Sequence, residues 1–255
     1  MPDPYAIDAA YYDLIHGRGG DDIGLWLSFA GRTDRPLLEV GTGTGRIALE
    51  LARAGHEVLA IDPSAAMLAV ARERAETDAI EGVSFIEGLP AELTLEPGHY
   101  GLVVVPADVF LYHESGHEQV RTLRALGAAL HFSGLLALDL PGPALWLDPA
   151  TDGQPLLVFS GELETGEDLD AWQVHEDDLG DQVRRLRVSY ERTAADGLVR
   201  RASSEHLLRY VYRFEAEYLL AMAGLALGDV YGDYELGPLT NDSERMIVIA
   251  RRAEA

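Results

Sequence analysis

Residues 37–45, LLEVGTGTG, carry a spacing that can do chemistry. Leu37, Leu38 and Val40 read as a buried strand that runs straight into a turn holding Gly41, Gly43 and Gly45. A helix follows at once, with Ile47, Leu49 and Leu51 as its apolar positions and Gly55 as its stop signal. Glycines between a strand and a helix N-terminus let the backbone take positive φ and let a ligand approach the main chain. The free N–H groups and the positive end of the helix dipole then face that ligand. A second apolar strand, Val58-Leu59-Ala60-Ile61, ends in Asp62. Nucleoside-binding βαβ units place an acid there, about 20 residues past the first glycine, to accept hydrogen bonds from a ribose. The chemistry indicated is the holding of a nucleoside cofactor. The dinucleotide fingerprint G-x-G-x-x-G fits poorly, because its third glycine falls on Arg46; the pattern here is E-x-G-x-G-x-G from Glu39 to Gly45.

A second motif points elsewhere and is set aside. His113-Glu114-Ser115-Gly116-His117 matches H-E-x-x-H. Zinc chemistry would need both histidines on one face of a well-formed helix, with a third ligand elsewhere. This stretch falls where a strand passes into a helix, and Gly116 disfavours helix. No metal is expected.

The elements that must position Glu39 and Asp62 follow from the apolar runs. Strands are expected over 37–40, 58–61, 83–87, 102–105 and 135–140, with helices near 46–54, 64–77 and 117–130. Ser64, directly after Asp62-Pro63, suits the N-cap of the second helix. This alternation describes a parallel sheet covered by helices on both faces. The pattern changes after Pro141-Gly142-Pro143. Residues 155–212 alternate in strand fashion, with turn signals at 176–180 and 195–197, and read as three or four antiparallel strands. A helix near 213–225, stopped by Gly224, and two strands near 227–234 and 245–250 close the chain.

The stretch Glu39–Gly45 resembles motif I of the class I S-adenosylmethionine-dependent methyltransferases. Three further stretches are similar to the small-molecule branch of that family, which includes amino-sugar N,N-dimethyltransferases: Tyr12–Asp21, Tyr100–Pro106, and Gly232-Asp233-Tyr234 with Asp242–Met246. The resemblance implies an α/β, Rossmann-like seven-stranded sheet with an antiparallel β insertion after the fifth strand. Residues 1–143 and 213–255 would form the cofactor-binding domain. Residues 144–212 would be the insertion, serving as acceptor cover or dimer surface. The cofactor implied is S-adenosylmethionine, and the activity is methyl transfer to a nitrogen or oxygen of a small molecule, nitrogen slightly preferred. A non-catalytic cofactor-binding scaffold and a nucleotide-dependent oxidoreductase stay open.

The resemblance assigns Glu39, Gly41, Thr42, Gly43, Gly45 and Arg46 to the cofactor's methionine and ribose side. Asp62 would hold the ribose hydroxyls, with Pro63 and Met67 beside it. Gly88, Leu89 and Pro90 would meet adenine, and Pro106 would border the methyl. The family's Gly-Asp after the third strand is absent: Gly88 is followed by Leu89-Pro90-Ala91-Glu92, so backbone and apolar contact, or Glu92, would hold the adenine. Tyr12 is the candidate for cofactor or acceptor contact. Asp108 and His113, in the loop after the fourth strand, are candidates to take a proton or hold an ammonium. Trp146 and Trp172 are candidate pocket aromatics.

Composition bounds the partners. The 255 residues carry 43 acids against 20 bases, a formal charge of −23, and every base is arginine. Nucleic acid is an unlikely substrate, since phosphate contact needs clustered positive charge. There is no cysteine, and so no disulfide frame or thiolate site. No apolar run reaches the ~18–20 residues of a membrane span. The acidic start MPDPYAIDAAYYD lacks the regions of a signal peptide, which fits a cytoplasmic enzyme. A homodimer through residues 144–212 is also open.

Overall fold

The computed structural model describes residue 3, residues 5–145 and residues 151–253. Two sheets organise the chain. The first has seven strands: β1 (Leu37–Val40), β2 (Val58–Asp62), β3 (Val83–Glu87), β4 (Tyr100–Val105), β5 (Leu130–Pro141), β10 (Leu225–Tyr231) and β11 (Arg245–Arg252). Their order is β10-β11-β5-β4-β1-β2-β3. Pairs among β1 to β5 are parallel, whereas β11 runs antiparallel to both β5 and β10. Every residue of β1 and β4 is buried, as expected of parallel strands with both faces covered.

The strand period of two sends neighbouring residues to opposite layers. Leu37, Leu102 and Val104 pack with α2 (Ile23–Ala30) and α3 (Arg46–Arg53), where Trp26, Phe29, Ile47 and Leu51 fill one layer. Leu38, Val40, Val103 and Val105 face α5 (Gly116–Ala129) and α6 (Arg213–Met222), through Leu123, Leu126, Leu219 and Leu220. α4 (Ala65–Thr77) packs on β2 and β3. Ser64 caps α4, its hydroxyl accepting from the Met67 N–H at 3.1 Å.

The second sheet is antiparallel and holds β6 (Leu156–Glu162), β7 (Asp168–Asp178), β8 (Val183–Thr193) and β9 (Val199–Arg209) in sequence order. Its inner face, with Leu169, Ala171, Val188 and Tyr190, is covered by Ile7, Tyr11 and Ile15 from the N-terminal segment.

Several bounds differ from those read in the sequence. Two helices precede β1: α1 (Tyr12–His16) and α2. α1 has no buried residue and α2 is apolar nearly all round, so neither shows helical periodicity. β5 starts at Leu130, directly from the end of α5, and β10 starts at Leu225. α5 begins on Gly116 itself, because Ser115 caps the helix by accepting from the Glu118 N–H at 3.3 Å. Among the described residues, no helix is long and apolar enough to cross a membrane.

Candidate functional site

The sheet order reverses between β1 and β4, and the crevice beyond the carboxyl ends of strands at such a point is where open α/β sheets bind ligands. The glycine turn lies there. Gly41, Gly43 and Gly45 all take positive φ, at 71°, 54° and 81°. The Gly41 and Thr42 N–H groups donate to the Ile61 carbonyl at 2.7 and 3.1 Å, so the turn is tied to β2. Asp62, buried at the end of β2, accepts from the Gly43 N–H and the Ser64 N–H, each at 2.8 Å and each on a different oxygen. Each oxygen therefore keeps acceptor capacity. Burial holds the Asp62 carboxyl above its ordinary pKa, against the lowering effect of those two bonds.

Two glycines need their missing side chain for different reasons. A Cβ on Gly41 would sit 2.3 Å from Val109 Cγ1, so the loop after β4 lies directly on the turn. A Cβ on Gly43 would meet nothing within 4 Å, so this part of the turn faces open space. An open main-chain edge beside an acid with spare lone pairs fits a nucleoside cofactor. Glu39 is buried under the turn; its carboxyl accepts from Thr42 Oγ1 at 3.0 Å and burial pushes it up to about 8.

The remaining candidates divide. Arg46 opens α3, but its guanidinium is committed to Asp22 through two bonds of 2.6 and 2.8 Å. Trp26 Nε1 donates to the same carboxylate at 2.9 Å, so this pair fastens α2 to the turn. Met67 is buried in the first turn of α4, and Pro63 is exposed. The Gly88 N–H donates to the Asp62 carbonyl at 3.0 Å, which carries Leu89 and buried Pro90 to the edge of the same crevice. Glu92 is exposed.

The N-terminal segment crosses the turn. Asp13 accepts from Thr44 Oγ1 at 2.6 Å and pairs with Arg74 at 3.3 Å. Asp3 accepts from Ser64 Oγ at 2.8 Å and the Ala66 N–H at 3.1 Å. Between them lies Tyr12, its ring 4.6 Å from that of His16. Burial raises the Tyr12 phenol; Arg46 opposes this, while the carboxylates of Asp62, Asp13 and Asp108 add to it.

On the other side, β4 runs through buried Pro106 into two consecutive non-glycine residues with positive φ, Ala107 (48°) and Asp108 (64°). Left-handed residues of this kind persist only where the surroundings fix them. Asp139 does so from β5: its Oδ2 accepts from the Ala107 N–H at 3.1 Å, and its carbonyl from the Asp108 N–H at 3.1 Å. Arg245, the first residue of β11, bridges Asp108 (2.7 Å) and Asp139 (2.5 Å). Tyr234 Oη donates to Asp139 at 3.1 Å. Asp139 is fully buried and Asp108 is 31% exposed, so the surplus negative charge of two acids and one arginine presents through Asp108. Burial pushes the Asp139 carboxyl up to about 6 and raises that of Asp108, with Arg245 opposing in both.

His113 ends this loop, its ring edge against Phe110 at 5.8 Å. Burial lowers its pKa, against the charge of Glu118. His113 lies before the Ser115 cap and His117 within α5, so the H-E-x-x-H residues do not share a helix face. Asp152, His175 and Asp177 come together on the second sheet, where Asp177 is already bound twice by Arg184 at 2.7 Å. Trp172 lies on β7, partly buried, and Trp146 falls outside the described residues.

Asp139, Arg245 and Tyr234 are absent from the sequence-derived candidates. Asp139 is signalled by an acid inside an apolar strand, LLALDLP, which must find a partner when buried, and Tyr234 and Arg245 lie in the closing stretches that resemble the family without having been given a role.

A Rossmann-like sheet with an acid-and-glycine turn at its switch point, closed by an antiparallel strand pair, is an α/β architecture suited to binding a nucleoside. Residues 37–134 match the family described as Methyltransferase domain. The chain is 27% identical over 254 residues to the cypemycin N-terminal methyltransferase of a Streptomyces species, covering 98% of this chain and 97% of that protein. It is similar to the CcbJ methyltransferase of Streptomyces caelestis, with TM-score 0.82, 26% identity and 96% of each chain covered. It also shares the fold of CalS10 of Micromonospora echinaspora, an amino pentose methyltransferase solved with S-adenosylmethionine bound, with TM-score 0.69, 24% identity and 95% and 96% of the two chains covered. Residues 37–134 carry a methyltransferase domain, and nearly the whole chain is similar to known methyltransferases, one of them solved with S-adenosylmethionine bound.

Proposed function

We propose that this enzyme methylates a nitrogen of a small-molecule, amine-bearing acceptor. The observation that carries the reading is the loop after β4. Val109 seats it on Gly41, and the partly exposed Asp108 carboxylate stands at its start with net negative charge behind it. A carboxylate so placed attracts an ammonium group and keeps it beside the cofactor turn. The names of the cypemycin N-terminal methyltransferase and of the amino pentose enzyme CalS10 describe amine acceptors for those proteins, in keeping with this reading.

S-Adenosylmethionine supplies an electrophilic methyl on a sulfonium. The chain's own residues bind, align and exclude water. Asp62 holds the ribose hydroxyls with its spare lone pairs. Glu39, Gly41, Thr42, Gly43 and Gly45 cradle the methionine and ribose side, and Gly88 to Pro90 cover adenine. Met67 and Pro63 flank Asp62, and Pro106 borders the methyl. Tyr12 closes the site from the N-terminal segment. Asp108 orients the amine. His113, kept neutral by burial, is the group available to take a proton. Residues 144–212 act as the acceptor cover, and residues 1–143 and 213–255 as the cofactor domain.

The test is a titration with S-adenosylhomocysteine, with NAD and zinc as controls, followed by turnover of S-adenosylmethionine with paired amine and hydroxyl acceptors on one scaffold. Binding of S-adenosylhomocysteine together with turnover of the amines is expected. Turnover confined to the hydroxyl partners would overturn the nitrogen assignment, and tighter binding of NAD would overturn the site.

A further inference from the structure

One buried acid of the N-terminal segment does not face the glycine turn. Asp8 is 6% exposed, and all its partners lie on the second sheet. Its Oδ1 accepts from Tyr190 Oη on β8 at 2.5 Å and from Ser204 Oγ on β9 at 2.6 Å. Its Oδ2 meets His206 Nε2, also on β9, at 3.0 Å. The His206 ring is stacked by Tyr5, with centroids 4.8 Å apart and planes at 16°, and Tyr112 of the loop after β4 stands edge-on to it at 5.8 Å. Tyr11 lies 4.8 Å from Tyr190.

One short segment thus has two attachments of opposite kind. Asp3, Asp13 and Asp22 hold it to the glycine turn and the helices behind it. Asp8, between them in sequence, holds it to the antiparallel sheet. Tyr5 joins the two ends: burial raises its phenol, and the charges of Asp62 and Asp8 add to that. A cofactor held by Gly43 and Asp62 would border this segment, whose bonds from Asp13 to Thr44 and from Asp3 to Ser64 flank both residues. Polar contacts suit a segment that lifts, because donors and acceptor are rehydrated on opening.

We infer that Asp8 and His206 are positioning residues that latch the N-terminal segment to the second sheet, so that exchange of S-adenosylhomocysteine is gated from the acceptor-side sheet. The inference rests on the reading of residues 39–62 as the cofactor site. Movement of β8 and β9 loosens the latch, the segment lifts from Thr44 and Ser64, and the spent cofactor departs. The second sheet thereby reports its own state to the cofactor site.

The test uses the full chain, preloaded with radiolabelled S-adenosylhomocysteine and chased with excess unlabelled ligand, with association followed separately. Asp8→Asn and His206→Ala are expected to speed dissociation about tenfold or more, equivalent to about 1.4 kcal/mol, and to speed association as well, since the segment opens more often. His206→Gln, which keeps an N–H donor toward Asp8, is expected to stay within about threefold of the parent. Tyr190→Phe removes a single hydroxyl from the latch and serves where Asp8→Asn does not fold; about threefold faster exchange is expected. Dissociation within about twofold of the parent in His206→Ala and Tyr190→Phe would overturn the latch. So would faster dissociation with unchanged association, the mark of a lost contact without a gate. A parent protein that binds no S-adenosylhomocysteine would overturn the cofactor-site reading instead.

Discussion

Replacing Arg245 by alanine removes the cation that lies between two carboxylates. Asp139 is fully buried and its carboxylate takes two bonds from this guanidinium, at 2.7 Å from Nε and 2.5 Å from Nη2. Breaking a buried pair from one side typically costs about 3–5 kcal/mol, because the remaining charge has lost its compensation. For a chain of this size each kcal/mol shifts the melting temperature by roughly 2–4 °C, so a fall of roughly 6–20 °C is expected. The loss depends on pH in a defined direction. Burial already holds the Asp139 carboxyl at about 6 with Arg245 present, against an ordinary value of 3.8. Without the arginine it rises further, and the folded chain holds the proton more tightly than the unfolded chain does. Stability is then intact below the ordinary carboxylate range and is lost as pH climbs through the raised folded value. Denaturant unfolding of Arg245→Ala should therefore show the full deficit near pH 8 and a deficit of only ~1–2 kcal/mol near pH 5, where a protonated Asp139 needs no cation. The double variant with Asp139→Asn should recover much of the loss near pH 8. A deficit below ~1 kcal/mol near pH 8, or one equal at both pH values, would refute the assignment of Arg245 as the compensating charge.

Asp62→Asn should weaken S-adenosylhomocysteine about 10- to 100-fold by calorimetry, the range for losing hydrogen bonds to a charged acceptor; unchanged affinity would remove Asp62 from the ribose. Gly43→Ala should lose only the modest stability that a side chain at φ 54° costs and bind cofactor more weakly, because its Cβ enters open space over the turn, whereas Gly41→Ala should lose more stability through its added clash with Val109; comparing melting temperature with affinity for the two separates these effects. Burial raises the Glu39 carboxyl from 4.5 to about 8, so ligand-free stability should decline as pH rises across that window, and Glu39→Gln should flatten the profile. His113→Ala should leave S-adenosylhomocysteine affinity unchanged while lowering turnover of amines; a large loss of affinity would move His113 to the cofactor side.

The strands of the large sheet were legible because parallel strands buried on both faces read as unbroken apolar runs, and because glycines and Ser64 punctuate them. The glycine turn and its acid were legible for a related reason: Glu39, the three glycines and Asp62 all lie within one βαβ unit, where sequence distance tracks spatial distance. The partners of Asp108 were not. Asp139 and Arg245 are 106 residues apart and meet only because β11 pairs antiparallel with β5, aligning Arg245 with Pro141. Asp8 and His206 are separated by 198 residues and meet through the docking of a segment with little periodicity of its own. α1 and α2 escaped because their helical state is set by contacts with the turn and the second sheet rather than by a polar–apolar rhythm. Arg46 shows a different limit. Its position marks the departure from a dinucleotide fingerprint, but nothing local reveals that its side chain turns to Asp22.

The placement of β11 between β5 and β10 also fixes an order of events during synthesis. Chains emerge from the ribosome N-terminus first, and domains fold as they become complete. β1 to β5 can pair as they appear, yet β5 then offers an open edge and a buried acid with no counterion until residue 245 is made. β10 cannot shield that edge, since its place in the sheet is reached only through β11. The nascent enzyme therefore carries an exposed strand edge beside an uncompensated aspartate for the interval in which the whole second sheet is translated. That edge is where a chaperone would find the incomplete chain, and where premature termination would leave it prone to aggregation.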